Sequence, residues 1–173
     1  MDKELPKRKR NRLCYYDYSS GGIYFITICT QNRKNIFWTK KQPDFVGEDI
    51  ILPPDNIILS AYGKIVDNVI NDIPNHYSNI EILQYVIMPN HIHILLYLPY
   101  DDGRIISSPT INKPISTIIG QMKREISKRI GIPIWQRSFH DHIVRNKTDY
   151  EEISKYIYEN PIKWQYDCFY TDE

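Results

Sequence analysis

A chain of 173 residues, 42% hydrophobic and 25% charged, has the length of one ordinary domain and the composition of a globular protein. No apolar run reaches the ~18–20 residues that span a bilayer, and the N-terminus MDKELPKRKRNR lacks the apolar stretch of a secretory signal. A cytoplasmic protein without a membrane partner is therefore expected. The net charge of +1 excludes a polycation, and three dispersed cysteines (Cys14, Cys29, Cys168) argue against a disulfide framework or a zinc knuckle.

The charge is unevenly placed. Lys3, Lys7, Arg8, Lys9, Arg10 and Arg12 outnumber Asp2 and Glu4 in residues 1–12, so residues 1–20 read as a basic arm, with 21–173 as the single domain that follows. Ile23–Thr30 is β-branched and aromatic, the pattern of a strand. Residues 39–58, with three prolines and four acids, suggest an inserted loop or hairpin. Ser60 caps a predicted helix that reaches about Asn71, with Pro74 just beyond its end. Ile80–Ile87 and His91–Leu98 are predicted strands around the turn Met88-Pro89-Asn90, followed by a loop over 99–113. Pro114 to Ile130 is a predicted helix closed by Gly131, carrying Lys123, Arg124, Lys128 and Arg129. Ser138–Arg145 alternates as a fourth strand. Thr148-Asp-Tyr-Glu151 has the form of a capping box and opens a last helix that Pro161 stops. The order β-α-β-β-α-β-α predicts an α+β fold: a ferredoxin-like βαββαβ antiparallel sheet with helices on one face, plus a C-terminal helix.

His91-Ile-His93 is the most informative triplet. Alternation along a strand sends both imidazoles to one face, ~6.6 Å apart, where they can lean together onto one metal ion. Two half-exposed surface histidines would read the same. On the last helix, Tyr150, Ile153 and Ile157 form the apolar stripe. Tyr156 and Asn160 lie ~40° apart beside that stripe, while Tyr158 points away. His140 and His142 repeat the H-x-H spacing on the fourth strand and are rival ligands. High aromatic content, with 14 Tyr and three Trp, fits either stacking on unpaired bases or core filling.

Five segments in one order carry a resemblance: Tyr24-Phe-Ile-Thr-Ile-Cys-Thr, Met88-Pro-Asn-His-Ile-His93, Ile118-Ile-Gly-Gln-Met-Lys-Arg124, Trp135-Gln-Arg-Ser-Phe139 and Tyr156-Ile-Tyr-Glu-Asn-Pro161. Together they resemble the REP-associated tyrosine transposases, within the single-tyrosine HUH (IS200-like) family, where U is a bulky hydrophobe. The resemblance implies that His91, His93 and Asn160 hold a divalent ion and that Tyr156 is the nucleophile. It further implies DNA contacts from Lys7, Arg8, Lys9, Arg10 and Arg12 of the arm, from Lys123 and Arg124, and from Arg137. The implied activity is metal-dependent cleavage and rejoining of single-stranded DNA at hairpin-flanked sites through a 5′-phosphotyrosine. Oxygen ligands beside imidazole tilt the metal toward Mg²⁺ or Mn²⁺. Single-stranded or hairpin DNA is the expected partner, and both a monomer and a homodimer with the tyrosine in trans are consistent with the family. A non-catalytic hairpin-binding module is the alternative, and a two-histidine phosphodiesterase using water instead of tyrosine is a third reading.

Overall fold

A computed structural model describes residues 21–39, 58–77, 80–99 and 115–171. The basic arm, including Lys7, Arg8, Lys9, Arg10 and Arg12, lies outside them, as do most of the 39–58 insertion and most of the 99–113 loop. The elements are β1 (Gly22–Cys29), α1 (Ala61–His76), β2 (Glu81–Ile87), β3 (His91–Leu98), α2 (Ile115–Ile130), β4 (His140–Val144) and α3 (Lys147–Glu159), with 3-10 turns at Gln31–Arg33 and Trp164–Tyr166. The strands form one antiparallel sheet in the order β2-β3-β1-β4. This is the expected α+β architecture.

Alternation divides the sheet into two faces. Tyr24, Ile26 and Ile28 of β1, with Ile92, Ile94 and Leu96 of β3, are fully buried against Val66, Ile70, Ile118, Ile119 and Ile126 from α1 and α2. Each such aliphatic side chain contributes about 1.5–3 kcal/mol on burial. The opposite face carries the chemistry-bearing residues and receives α3. A bulge in β2 breaks the register between Ile82 and Gln84. It brings Gln84 opposite Leu95, on the α3 side, where its amide exchanges hydrogen bonds with the Ser154 carbonyl (3.2 Å) and hydroxyl (2.7 Å).

Two boundaries differ from the sequence expectation. Helix α1 runs through Pro74 to His76. Burial of Ile73 and Tyr77 holds the last turn, and a proline there forfeits only one intrahelical bond. Helix α3 is capped by Asn146, not Thr148. Its side chain accepts from the Asp149 N–H at 2.9 Å, and the Asp149 carboxylate accepts from the N–H of Arg145, the residue before the cap, at 3.0 Å, a variant of the capping box set two residues earlier.

The start of α1 also braces the site. Ser60 donates from its backbone to the Phe37 carbonyl and from its hydroxyl to the Ile36 carbonyl, and the N–H groups of Ile36 and Phe37 donate to the Pro89 carbonyl. Gly63 leaves room for this, since a Cβ there would lie 2.2 Å from the Phe37 carbonyl oxygen. Gly63→Ala is therefore expected to lower stability by about 1–3 kcal/mol despite its higher helix propensity. Urea denaturation would measure this, and an unchanged midpoint would show that the segment yields freely.

Candidate active site

Strand β3 begins directly after a turn closed by the Met88 N–H donating to the His91 carbonyl at 2.9 Å. The turn anchors the strand's first residues, so His91 and His93 enter the sheet in a set orientation. Both are buried, at 0% and 1% exposure, and their Nε2 atoms stand 3.0 Å apart.

The other ring nitrogens are occupied. His91 Nδ1 lies 2.9 Å from Asn90 Oδ1. The Asn90 amide nitrogen donates to the carbonyls of Arg33 (3.2 Å) and Phe169 (2.8 Å), which leaves Oδ1 to accept and puts the imidazole proton on Nδ1. Arg33 offers that carbonyl from a left-handed backbone, φ 54°. His93 Nδ1 lies 2.8 Å from Thr27 Oγ1, its direct cross-strand neighbour. Burial, reinforced by the Arg33 charge, pushes His91 down to about 3, and burial with the neighbouring His91 pushes His93 down as well. In neutral rings whose Nδ1 atoms are engaged by neighbours, Nε2 is the nitrogen left for a metal ion.

Tyr156 and Asn160, one turn apart at the end of α3, are brought to this pair. Tyr156 Oη is 3.3 Å from His93 Nε2, and 39% of the residue is exposed. Its ring packs edge-on against those of His93 (5.2 Å) and Phe25 (6.1 Å). Tyr158 points to solvent as expected. Asn160 is buried, and its Oδ1 has no hydrogen-bond partner.

Asp167 was missed by sequence reasoning. The Tyr156 hydroxyl donates to its Oδ2 at 3.1 Å, and the Asn160 amide donates to the same oxygen at 2.9 Å. Ligand atoms of His91, His93 and Asp167 all lie within 4.8 Å of one another. Burial, then the Asp167 carboxylate, raises the Tyr156 hydroxyl above the usual tyrosine range. The chain after α3 folds back because its aromatic residues pack on the site. Trp164 is buried with its ring 5.9 Å from that of His91, and the Phe169 ring is 4.6 Å from His91 with the Arg33 guanidinium over it at 5.0 Å. A loop carboxylate has no periodicity to betray it. Only this aromatic packing marks the segment.

The donor set fits a divalent ion. Two nitrogens each ~2.1 Å from one ion stand about 3.0 Å apart when their bonds meet near a right angle. A carboxylate and an orphaned amide oxygen add the hard ligands that Mg²⁺ or Mn²⁺ favours. Thr27→Val, which removes the hydroxyl behind His93 at nearly constant volume, is expected to weaken metal affinity about 10- to 100-fold. Isothermal titration with Mn²⁺ would show it, and unaltered affinity would mean that Thr27 does not orient the ring.

The model of the family described as "Transposase IS200 like" matches residues 19–160. The chain belongs to this family. An uncharacterized protein of Haemophilus influenzae is 30% identical over 97% of this chain and 96% of its own length. A REP-associated tyrosine transposase of Escherichia coli K12 is 27% identical over 90% of this chain and 81% of its own length. A solved structure of a REP-associated tyrosine transposase bound to a REP hairpin shares the fold, with a TM-score of 0.62 and 22% identity over 90% of this chain and 74% of that one.

Among the described residues, the basic ones expected to touch DNA are Lys123, Arg124 and Arg137. Lys123 and Arg124 sit on α2, on the sheet face opposite the histidine pair. Lys123 is half-buried, its ammonium donating to the carbonyls of Gln136 (2.6 Å) and Ser138 (3.2 Å), while Arg124 is exposed. Arg137 is exposed in the loop entering β4. That loop is tied to the site end of β1 by the Gln136 N–H donating to the Cys29 carbonyl at 3.0 Å. Among the described residues, no helix is long and apolar enough to cross a membrane.

Proposed function

We propose that this transposase-family chain cleaves and rejoins single-stranded DNA through Tyr156, at sites flanked by hairpins. The observation that carries the reading is the Tyr156 hydroxyl 3.3 Å from Nε2 of His93, one of the two paired imidazoles, and 3.1 Å from a carboxylate. Nucleophile, proton acceptor and metal donors thus converge at one point, half open to solvent.

His91 and His93 would hold a divalent ion, with Asp167 and the Asn160 amide oxygen as its oxygen donors; when bound, it supplies charge withdrawal at a phosphate oxygen. The site lies at the C-terminal end of α3, where the helix dipole favours a cation. Tyr156 is a weak nucleophile while protonated, and Asp167 Oδ2 already accepts its hydrogen bond, so that carboxylate is placed to take the proton. The phenolate oxygen attacks phosphorus in line, the P–O3′ bond breaks, and the departing 3′ oxygen takes the proton that Asp167 accepted from Tyr156. The strand stays attached through a 5′-phosphotyrosine. A second 3′-hydroxyl then attacks the same phosphorus, releases Tyr156 and reseals a strand, so the phosphoester bond energy is conserved.

Tyr156 lies beside a histidine of its own chain, the arrangement that catalysis in cis requires. The hairpin substrate is suggested by the structural neighbour bound to a REP hairpin, with the basic arm of residues 1–20, Lys123, Arg124 and Arg137 as candidate DNA contacts. The test is incubation with a single-stranded oligonucleotide and Mn²⁺, followed by denaturing electrophoresis. A metal-dependent protein–DNA adduct is expected. Cleavage that leaves no adduct would favour water as the nucleophile, and hairpin binding without cleavage would favour a binding module.

A further inference from the structure

The second histidine pair takes no part in the site described so far, yet the strand register places it on the same sheet face. Thr27 pairs with His93 on one side and with His140 on the other, and Phe25 pairs with Leu95 and with His142. Directly paired residues on neighbouring strands project to one face. With strands ~4.8 Å apart, His140 stands about 10 Å from His93 across Thr27, too far to share its ion. The histidines of β4 are therefore neighbours of the site and not rival ligands.

Helix α3 covers this face over β2 and β3, where Gln84 and Ser154 join them. Over β1 and β4 the face is more open, with Phe25 half-buried and His140 and His142 exposed. Aromatic rings lead there from the reaction centre. His91 and His93 are 4.5 Å apart, Phe25 stacks on His93 at 5.1 Å and 28°, and His142 is the cross-strand neighbour of Phe25. His142 is held by one edge, its Nε2 lying 2.9 and 3.0 Å from the two Asp149 carboxylate oxygens, while half of its side chain stays exposed. Arg137 and Arg145 flank the two ends of β4, both exposed. Asp141, the acid within β4, pairs with Ile26 and so belongs to the other face.

We propose that the Phe25–His142 pair is a stacking subsite for the unpaired nucleotide next to the scissile phosphate. The proposal rests on the reading that Tyr156 attacks single-stranded DNA. A base fits the centre of this face better than a phosphate does, because the Asp149 carboxylate behind His142 repels an anion but does not oppose stacking on the exposed ring surface. The arginines at either end of β4 suit the backbone on each side. Base–aromatic stacking also tolerates any base, since every base has a π-face.

Fluorescence anisotropy on a DNA hairpin with an unpaired polythymidine tail, compared with the same hairpin lacking the tail, tests this. His142→Ala is expected to weaken binding of the tailed hairpin about fivefold or more and to leave the untailed one unchanged. His142→Phe, which keeps a flat ring without its nitrogens, should retain tail-dependent affinity, and His142→Lys, which offers a cation without a ring, should not. No loss in His142→Ala, equal loss on both hairpins, or rescue by Lys in place of Phe would each overturn the subsite. The adduct assay reports separately on the nucleophile. An adduct formed without any His142-dependent binding refutes the subsite alone, and tail-dependent binding without an adduct refutes the Tyr156 reading alone.

Discussion

Tyr156→Phe is expected to abolish the covalent protein–DNA adduct, with strand cleavage falling on the order of 10⁴-fold or more. The substitution removes one oxygen and retains the ring that packs against His93 and Phe25, so folding and DNA binding should be nearly unchanged. The hydroxyl lost is exposed enough to meet a substrate; it donates to Asp167 and lies 3.3 Å from His93 Nε2, and the Asp167 carboxylate keeps the Asn160 amide as a partner. Thermal melting within a few degrees of the parent, together with loss of the adduct on a denaturing gel, would establish the role. An undiminished adduct in this variant would move the nucleophile elsewhere, with Tyr158 and Tyr166, both more exposed, the next to be replaced.

The second large effect is expected at the imidazole pair. His91→Ala with His93→Ala should remove measurable Mn²⁺ binding and, with it, cleavage, while affinity for a DNA hairpin in the absence of metal is retained. The two Nε2 atoms stand 3.0 Å apart. An oxygen set without them binds a transition ion far more weakly. Because both rings are buried, the double variant also creates a cavity, and a stability loss of about 2–4 kcal/mol should accompany it. Conservative His91→Gln and His93→Gln variants limit that loss and keep the test readable. Cleavage that persists in the Gln variants would show that the histidines only fill space between β3 and the segment carrying Trp164 and Phe169.

Much of the site is legible in the chain because two of its parts obey short-range periodicities. Alternation along a strand puts His91 and His93 on one face, and helical spacing puts Tyr156 and Asn160 together beside the Ile153–Ile157 stripe. The structure brings these four residues to one point. Asp167 is invisible by the same reasoning: it lies seven residues past Asn160, beyond the helix, where no repeat relates a side chain to the sheet. Its position depends on Trp164 and Phe169 packing on His91, contacts that span some seventy residues of sequence. The α3 cap was misplaced for a smaller reason, since both Asn146 and Thr148 are competent caps and only the Asp149 bond back to Arg145 separates them.

The sequence alone offers His91, His93, Tyr156 and Asn160 as candidates, and it determines the succession of strands and helices along the chain and the division of β1 and β3 into an apolar and a polar face, because alternation, helical spacing and capping are properties of neighbouring residues. Tertiary structure decides what the two H-x-H pairs become. Both sit on strands with identical spacing, and only the order β2-β3-β1-β4 places His91 and His93 under Tyr156 while leaving His140 and His142 near the open edge. Strand order, the β2 bulge that seats α3, and the return of Asp167 are set by burial of side chains far apart in the chain. No local pattern carries that information.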